Sequence, residues 1–182
     1  MATLKVPIVA EDHAQGPDNA PVTLVEYGDY ECPHCGHAYP IVKKVQQHFG
    51  TRVRFIFRNF PLSEMHPNAE SAAEAAEFAG SRGKFWEMHD LLFENQNRLG
   101  GKLFVELAQT LQLPATELRQ ALAEGTYEAR VRADFKGGVR SGVNGTPTFF
   151  VNGHRHDDSF DYETLVSAID QAVGSAKTAV HK

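Results

Sequence analysis

Runs of apolar residues near the start of the chain predict two strands with a helix between them. Val22 to Tyr27 is apolar except for Thr23 and Glu26 and is rich in β-branched residues, which is typical of a buried strand, and Arg52 to Phe57 begins with alternating basic and apolar residues. Pro33 to Phe49 lies between them and predicts a helix. A crossover of this length suits parallel pairing, so the three elements predict a β-α-β unit.

A helical pattern follows the second strand. Alanine and leucine residues recur at helical spacing from His66 to about Ser141. Strand patterns return at Thr148 to Val151 and at His154 to Asp157, which are joined by an Asn-Gly hairpin signal. This order predicts an α/β fold with a helical insertion at about residues 63–141, inside a single domain of residues 1–182.

The two ends of the chain carry weaker patterns. Leu4 to Val9 is apolar but interrupted by a proline, which suits an edge strand, and Glu11 to Pro21 predicts a loop. Tyr162 to Val173 carries an apolar stripe and predicts a last helix. The tail from Gly174 onward is expected to fray.

Charge and hydropathy argue against nucleic acid and membrane as partners. Apolar residues make up 42% of the chain and charged residues 23%, which is ordinary for a globular protein. The net charge is -5 and no basic block occurs, so we expect no nucleic-acid partner. Met1 to Ala20 lacks the apolar core of a secretory signal, and no run is long enough to cross a membrane. We therefore expect a cytoplasmic protein without a membrane partner, or a periplasmic one if a signal has been removed.

Both cysteines lie in one motif, Cys32-Pro33-His34-Cys35, at the predicted junction of a strand and a helix, which indicates a thiol redox site. Cys32 is expected to be the nucleophile, because the amide groups and dipole of a helix start, with a donor or charge from His34, lower the pKa of a thiol there. Pro33 suits the first helical position, where its missing N–H costs nothing. Cys35 is expected to be more buried and to resolve mixed disulfides. We expect no cofactor beyond this redox-active disulfide.

Two alternatives to a redox enzyme stay open. The chain has nine histidines, so Cys32 and Cys35 could form half of a zinc site with His37, or with His154 and His156. Structural zinc normally takes four ligands at recognisable spacing, which these histidines do not match, so redox chemistry is favoured. The other alternative is a redox-sensing or client-holding module that binds partners without turnover.

Separate segments of the chain resemble the DsbA-like branch of the thioredoxin superfamily. They are the Cys32 to Cys35 motif, Arg58 to Leu62, and Gly145 to Gly153, and the resemblance covers nearly the whole chain. It extends to the short stand-alone members and to the thioredoxin-like domains fused to sodium/proton antiporters. The resemblance implies a thioredoxin fold with a helical insertion between the β-α-β unit and the strand after Pro147. It also implies thiol-disulfide oxidoreductase activity.

The resemblance implies further site residues. Thr146-Pro147 is a candidate cis peptide bond, and in the superfamily this turn faces the disulfide and binds the substrate backbone, so both residues are expected beside Cys32. Glu26, in an otherwise apolar strand, is expected to be a buried acid that moves protons to and from Cys35, with a solvent-facing carboxylate as the alternative. The expected partners are protein or peptide thiols and disulfides, with glutathione or a thioredoxin-type protein as electron partner.

The sequence leaves the direction of electron transfer open. Pro33 and His34 favour oxidation or isomerisation of substrates, because whatever stabilises the reduced pair makes its disulfide more oxidising. Thr146 differs from the apolar residue of the strongest periplasmic oxidases, and its hydroxyl can hydrogen-bond a nearby sulfur. A cytoplasmic location favours reduction.

Overall fold

The computed structural model of the protein describes residues 2–180. The strands in this part of the chain are β1 (His13–Gln15), β2 (Val22–Gly28), β3 (Val53–Asn59), β4 (Thr148–Val151) and β5 (His154–His156). The α-helices are α1 (Pro33–Phe49), α2 (Ala69–Gly80), α3 (Phe85–Glu94), α4 (Gly101–Thr110), α5 (Ala115–Glu124), α6 (Glu128–Arg140) and α7 (Tyr162–Val180). The strands form one sheet in the order β1-β3-β2-β4-β5. None of the helices within residues 2–180 combines the length and hydropathy that a bilayer span needs.

Helix α1 begins and ends where the sequence predicts. Pro33 is its first residue, and its last residue, Phe49, is followed by Gly50 with a φ of +54°, a left-handed conformation that glycine adopts readily. The strands before and after it, β2 and β3, are neighbours in the sheet. The predicted succession of strand, helix and strand is therefore confirmed.

Both ends of the chain differ from the sequence prediction. Leu4 to Val9 is not a strand, and the edge strand is instead β1, which lies inside the predicted loop. It pairs antiparallel with β3, with His13 opposite Phe57. At the other end, α7 continues through Gly174 to Val180 instead of fraying, because a single glycine costs a helix only about 1 kcal/mol.

Contacts divide the chain into two compact units. The first comprises the described parts of Met1–Tyr27, His37–Arg58 and Gly137–Lys182, and the second comprises Gly28–Gly36 and Asn59–Lys136. The first unit contains most of the sheet together with α7, and the second contains the cysteine motif together with α2 to α5. The interpretation of the chain as a single domain with an insertion stays a prediction.

The first unit has an apolar core with one buried polar cluster. The central strands supply fully or almost fully buried side chains, namely Leu24, Val25, Phe55, Ile56, Phe57, Phe149 and Phe150. At the end of this core, the guanidinium of Arg58 donates to both carboxylate oxygens of Asp12 at 2.8 Å and to the hydroxyl of Tyr27 at 3.0 Å. It also donates to the carbonyls of Val6 and Pro7 at 3.0 and 2.9 Å. Arg58 thereby ties the segment before β1 to β3.

Burial and hydrogen bonding oppose each other at Arg58. Burial alone would lower the pKa of this guanidinium, but the hydrogen bonds and charges of Asp12 and Tyr27 raise it above its ordinary value. The Arg58 and Asp12 side chains are only 3% and 2% exposed. The cluster is therefore a buried ion pair in which each charge depends on its partner.

The second unit is a helical layer built on small residues. Alanine side chains of α2 are buried and let this helix pack closely against α3, α4 and α5; they are Ala69, Ala72, Ala73, Ala75, Ala76 and Ala79. Asn59 enters this unit at the end of β3 and donates to the carboxylates of Glu77 and Asp134 at 2.7 and 3.1 Å. The chain that leaves the strand is thus fixed to the helices by buried hydrogen bonds.

Candidate active site

The cysteine motif forms the start of α1. The backbone N–H of Cys32 donates to the carbonyl of Asp29 at 3.2 Å, and the carbonyl of Cys32 accepts from the N–H of Gly36 at 3.0 Å. Cys32 is therefore the N-cap of the helix, next to its first amide groups. Its side chain is buried, with the whole residue 4% exposed, and Cys35 is fully buried. The expectation that Cys35 is the more buried cysteine is confirmed.

The other predicted site residues lie in both units. Pro33 and His34 are exposed at the start of α1. Glu26 is buried in β2 at 3% exposure, so the solvent-facing alternative is wrong. The Thr146-Pro147 peptide bond is cis, as expected. Glu26, Thr146 and Pro147 belong to the first unit and the cysteine motif to the second, and their roles beside the cysteines stay predictions.

Asp29, which is absent from the predicted site residues, connects the motif to the helical layer. It is 1% exposed, and its backbone N–H lies 3.4 Å from Sγ of Cys35 as a donor. Its Oδ1 accepts from the N–H of Glu31 at 2.8 Å, and its Oδ2 accepts from the N–H of Leu62 at 2.9 Å. The same Oδ2 lies 2.7 Å from Nδ1 of His66. Asp29 therefore contacts both the sulfur of a cysteine and an imidazole.

His66 lies at the edge of this site, with its side chain 15% exposed. Burial alone would lower its pKa, but the hydrogen bond and charge of Asp29, with the charges of Cys32 and Glu31, raise the pKa above its ordinary value. The folded chain therefore holds the proton more tightly than the unfolded chain. This stabilisation is complete below the ordinary pKa of histidine and is lost as the pH rises through the raised value.

The two residues that precede Cys32 are held by α3 and by the start of α2. The hydroxyl of Tyr30 lies 3.0 Å from Nδ1 of His89, which is 3% exposed, so the expectation that His89 is an internal histidine is confirmed. Glu31 accepts from the backbone N–H of Asn68 at 2.6 Å and from its Nδ2 at 2.9 Å. This carboxylate lies at the N-terminus of α2, where a helix favours negative charge.

Gln96 fixes the loop from the other side. Its Nε2 donates to the carbonyls of Tyr30 and Cys32, both at 2.9 Å. Its Oε1 occupies the space beside Gly36, where a Cβ would overlap it. The absence of a side chain at position 36 therefore allows Gln96 to hold the residues that lead into the motif.

We expect Gly36→Ala to lower the free energy of unfolding by about 1 kcal/mol, because Gln96 must leave the carbonyls of Tyr30 and Cys32 to make room. Alanine normally stabilises a helix interior relative to glycine by about 1 kcal/mol, so the expected sign is opposite to the usual one. Urea unfolding of the unchanged chain and of the variant measures the sign and the size of this change in the free energy of unfolding. In a Gln96→Ala background the same Gly36→Ala change should stabilise the chain, and Gly101→Ala, where a Cβ meets open space, serves as the control. Stabilisation by Gly36→Ala in the unchanged background would disprove this role of Gln96.

Of the three site residues that the sequence analysis did not predict, one could have been identified from its local sequence. Asp29 directly follows a buried strand and accepts from the N–H two residues later, which is the Asx-turn that aspartate favours. His66 and Gln96 carry no comparable local signal, because their partners are 30 or more residues away along the chain.

The alternative of a metal site has no ligand cluster in the described part of the chain. Within residues 2–180, no group of three or more histidine, cysteine, aspartate or glutamate side chains is arranged to hold a metal ion. Two of the three candidate histidine ligands, His154 and His156, lie in β5 in the first unit.

Curated relatives match this chain over most of its length. The Na(+)/H(+) antiporter NhaA 1 of Salinispora arenicola is 45% identical over 175 residues, which are 96% of this chain and 27% of the relative. NhaA 1 of Mycobacterium sp. strain KMS is 39% identical over 171 residues, 92% of this chain and 28% of the relative. The chain thus spans about a quarter of the length of the curated relatives that it matches, as the resemblance to antiporter-fused domains led us to expect.

Solved structures match the fold closely. Oxidised BdbD from Bacillus subtilis superposes with a TM-score of 0.86 at 28% identity, covering 95% of this chain and 98% of that one. α-DsbA1 from Wolbachia pipientis gives a TM-score of 0.84 at 19% identity, covering 97% and 98%. The predicted fold class, a thioredoxin fold with inserted helices, is therefore confirmed. The family model described as Thioredoxin matches residues 9–171, so this chain belongs to the thioredoxin family and has the DsbA-like form of its fold.

Proposed function

We propose that this chain is a thiol-disulfide oxidoreductase that exchanges disulfides with protein or peptide thiols through Cys32 and Cys35. The observation that carries the proposal is the position of Cys32, which caps α1 in a chain of the thioredoxin family. A thiolate at a helix N-terminus is stabilised by the first amide groups and by the helix dipole. A stabilised thiolate is a good leaving group, as disulfide exchange requires.

In the oxidising direction, a substrate thiolate attacks Sγ of Cys32 in the Cys32-Cys35 disulfide. A substrate–Cys32 disulfide forms, and Cys35 leaves as a thiolate that takes up a proton. A second substrate thiolate then attacks the substrate sulfur of this mixed disulfide, and Cys32 leaves as a thiolate. The substrate has lost two electrons to the cysteine pair, and its two thiol protons have gone to Cys35 and to solvent. Reduction of a substrate disulfide is the same sequence reversed, with Cys35 resolving the mixed disulfide.

The remaining predicted residues have supporting roles in this proposal. His34 is exposed within the motif and supplies a donor or positive charge to Cys32. Glu26, whose burial supports the role of a proton carrier, serves Cys35. Thr146 and Pro147, whose peptide bond is cis, bind the extended backbone of the substrate. The assignments of Glu26, Thr146 and Pro147 come from the resemblance to DsbA-like proteins, and that of His34 from its chemistry in the motif.

We favour oxidation or isomerisation of substrates, with reduction as the alternative direction. Pro33 and His34 support the former, as does the capping position of Cys32. The compartment decides which direction is used, because the glutathione pool of the cytoplasm is more reducing than the periplasm. Glutathione or a thioredoxin-type protein is the proposed electron partner in the cytoplasm.

The equilibrium of the cysteine pair with a series of glutathione redox buffers tests the proposal. We expect a disulfide to form between Cys32 and Cys35, at a potential between about -120 mV, the value of DsbA, and about -270 mV, the value of thioredoxin. A potential near that of DsbA supports donation or shuffling of disulfides, and a potential near that of thioredoxin supports reduction of substrate disulfides. If no disulfide forms between the two cysteines in any buffer, the proposed function is wrong.

A further inference from the structure

Asp29 brings a negative charge close to the cysteine pair. It contacts the pair twice through its backbone, since its carbonyl accepts from Cys32 and its N–H donates toward Sγ of Cys35. Its carboxylate side chain is 0% exposed and accepts from the backbone N–H groups of Glu31 and Leu62, which carry no net charge. A buried carboxylate beside a thiolate is unfavourable unless a cation accompanies it.

His66 is the group placed to be that cation. Its Nδ1 lies 2.7 Å from Oδ2 of Asp29, and the N–H of Leu62, four residues before it, donates to the same oxygen at 2.9 Å. The loop that carries His66 is thereby fixed to Asp29 at two points. These two partly buried hydrogen bonds fix the position of the imidazole relative to Asp29.

The charges of His66 and Cys32 act on each other. The charge of Cys32 is one of the causes that raise the pKa of His66, together with Asp29 and Glu31. Such coupling is reciprocal, so a proton on His66 favours the thiolate of Cys32 by the same free energy by which the thiolate favours the proton. The negative charges of Asp29 and Glu31 oppose the thiolate directly, but they raise the pKa of His66 and so favour its protonated form.

We propose that His66, held by Asp29, is a positioning residue whose imidazolium stabilises the Cys32 thiolate and so sets the redox balance of the cysteine pair. The inference rests on the proposed thiol-disulfide activity and names a regulator of that same site. Reduction of the disulfide consumes two electrons and, where Cys32 stays a thiolate, a single proton, which goes to Cys35. Stabilising that thiolate favours the reduced pair and makes the disulfide a stronger oxidant.

The first test is the pH dependence of Cys32 alkylation by iodoacetamide in the reduced chain, with the modified residue identified by mass spectrometry. In His66→Gln we expect the midpoint to rise by about one pH unit, with about tenfold slower alkylation below the midpoint. The equilibrium with glutathione should shift about tenfold toward the disulfide. His66→Lys keeps a positive charge and should stay close to the unchanged chain. His154→Gln, at an exposed histidine of β5, is the matched control.

An unchanged midpoint in His66→Gln overturns the inference. An equal rise in His66→Lys also overturns it, because the loop and not the charge would then set the titration. Both results differ from failure of the proposed function, which appears in the unchanged chain as a pair that forms no disulfide.

A second measurement needs no variant, so it tests the coupling between His66 and Cys32 even if His66→Gln does not fold. The pKa of His66 is followed by NMR in the unchanged chain with the pair reduced and with the pair oxidised. We expect a higher pKa in the reduced chain, because only that state has a thiolate at Cys32. Equal values in the two states overturn the inference.

Discussion

Cys32→Ser should reduce the rate of disulfide exchange by more than about 10³-fold, because a serine hydroxyl can neither form a disulfide nor leave as a stable anion. The measurement is the rate at which the chain oxidises a dithiol peptide or reduces a protein disulfide, each with the appropriate glutathione buffer. Cys32→Ser removes the sulfur at the N-cap while keeping a side chain of similar size. A Cys32→Ser chain that retains exchange would falsify the assignment of Cys32 as the nucleophile.

Cys35→Ser should leave the first attack possible but remove the thiol that resolves it. Mixed disulfides between Cys32 and substrate are therefore expected to accumulate, and non-reducing electrophoresis with mass spectrometry detects them. Rapid turnover by Cys35→Ser without such adducts would contradict the resolving role. The chain with both substitutions is the control for binding alone: if it still suppresses aggregation of an unfolded client, the client-holding alternative gains support.

Arg58→Met should lower the free energy of unfolding by about 3–5 kcal/mol. The substitution removes five hydrogen bonds, two of them to Asp12, and leaves that carboxylate buried without its cation. The size of the loss follows from the burial of both partners, because neither charge can turn to water for hydration. Urea or thermal unfolding measures the change.

Arg54→Met is the matched control, since Arg54 lies in the same strand and pairs with Asp18 at 3.0 Å. The Asp18 side chain is 90% exposed, so this pair should contribute no more than about 1 kcal/mol. Equal losses of unfolding free energy in Arg58→Met and Arg54→Met would contradict the larger contribution expected of the buried pair. Asp12→Asn combined with Arg58→Met should recover part of the loss, because it removes the isolated charge.

The sequence predicts those parts of the fold that local signals mark. The bounds of α1 follow from Pro33 at its start and Gly50 after its end, and the cis bond was expected at Thr146-Pro147. The burial of Glu26 follows from its apolar neighbours in β2 and from the resemblance. In each case the residues that decide the structure are adjacent in the chain or belong to a recognisable motif.

Local patterns do not predict structure that depends on distant partners. β1 is only three residues long, and its neighbouring Asp12 is held by Arg58 from β3, so no periodicity marks this strand. The same holds in the candidate site, where hydrogen bonds between distant parts of the sequence join His66 to Asp29 and Gln96 to Cys32. A sequence pattern specifies which residues can donate or accept, but only the packed helices determine which of them meet.

The close approach of Gln96 to Gly36 also constrains how this site can change during evolution. A larger residue at position 36 displaces the amide that holds the carbonyl of Cys32, whereas a shorter residue at position 96 releases the carbonyl and leaves room for a side chain. During neutral evolution, a substitution at position 96 should therefore precede one at position 36. Among homologous sequences, we expect substitutions at the two positions to be inherited together, with glycine at 36 wherever glutamine is retained at 96.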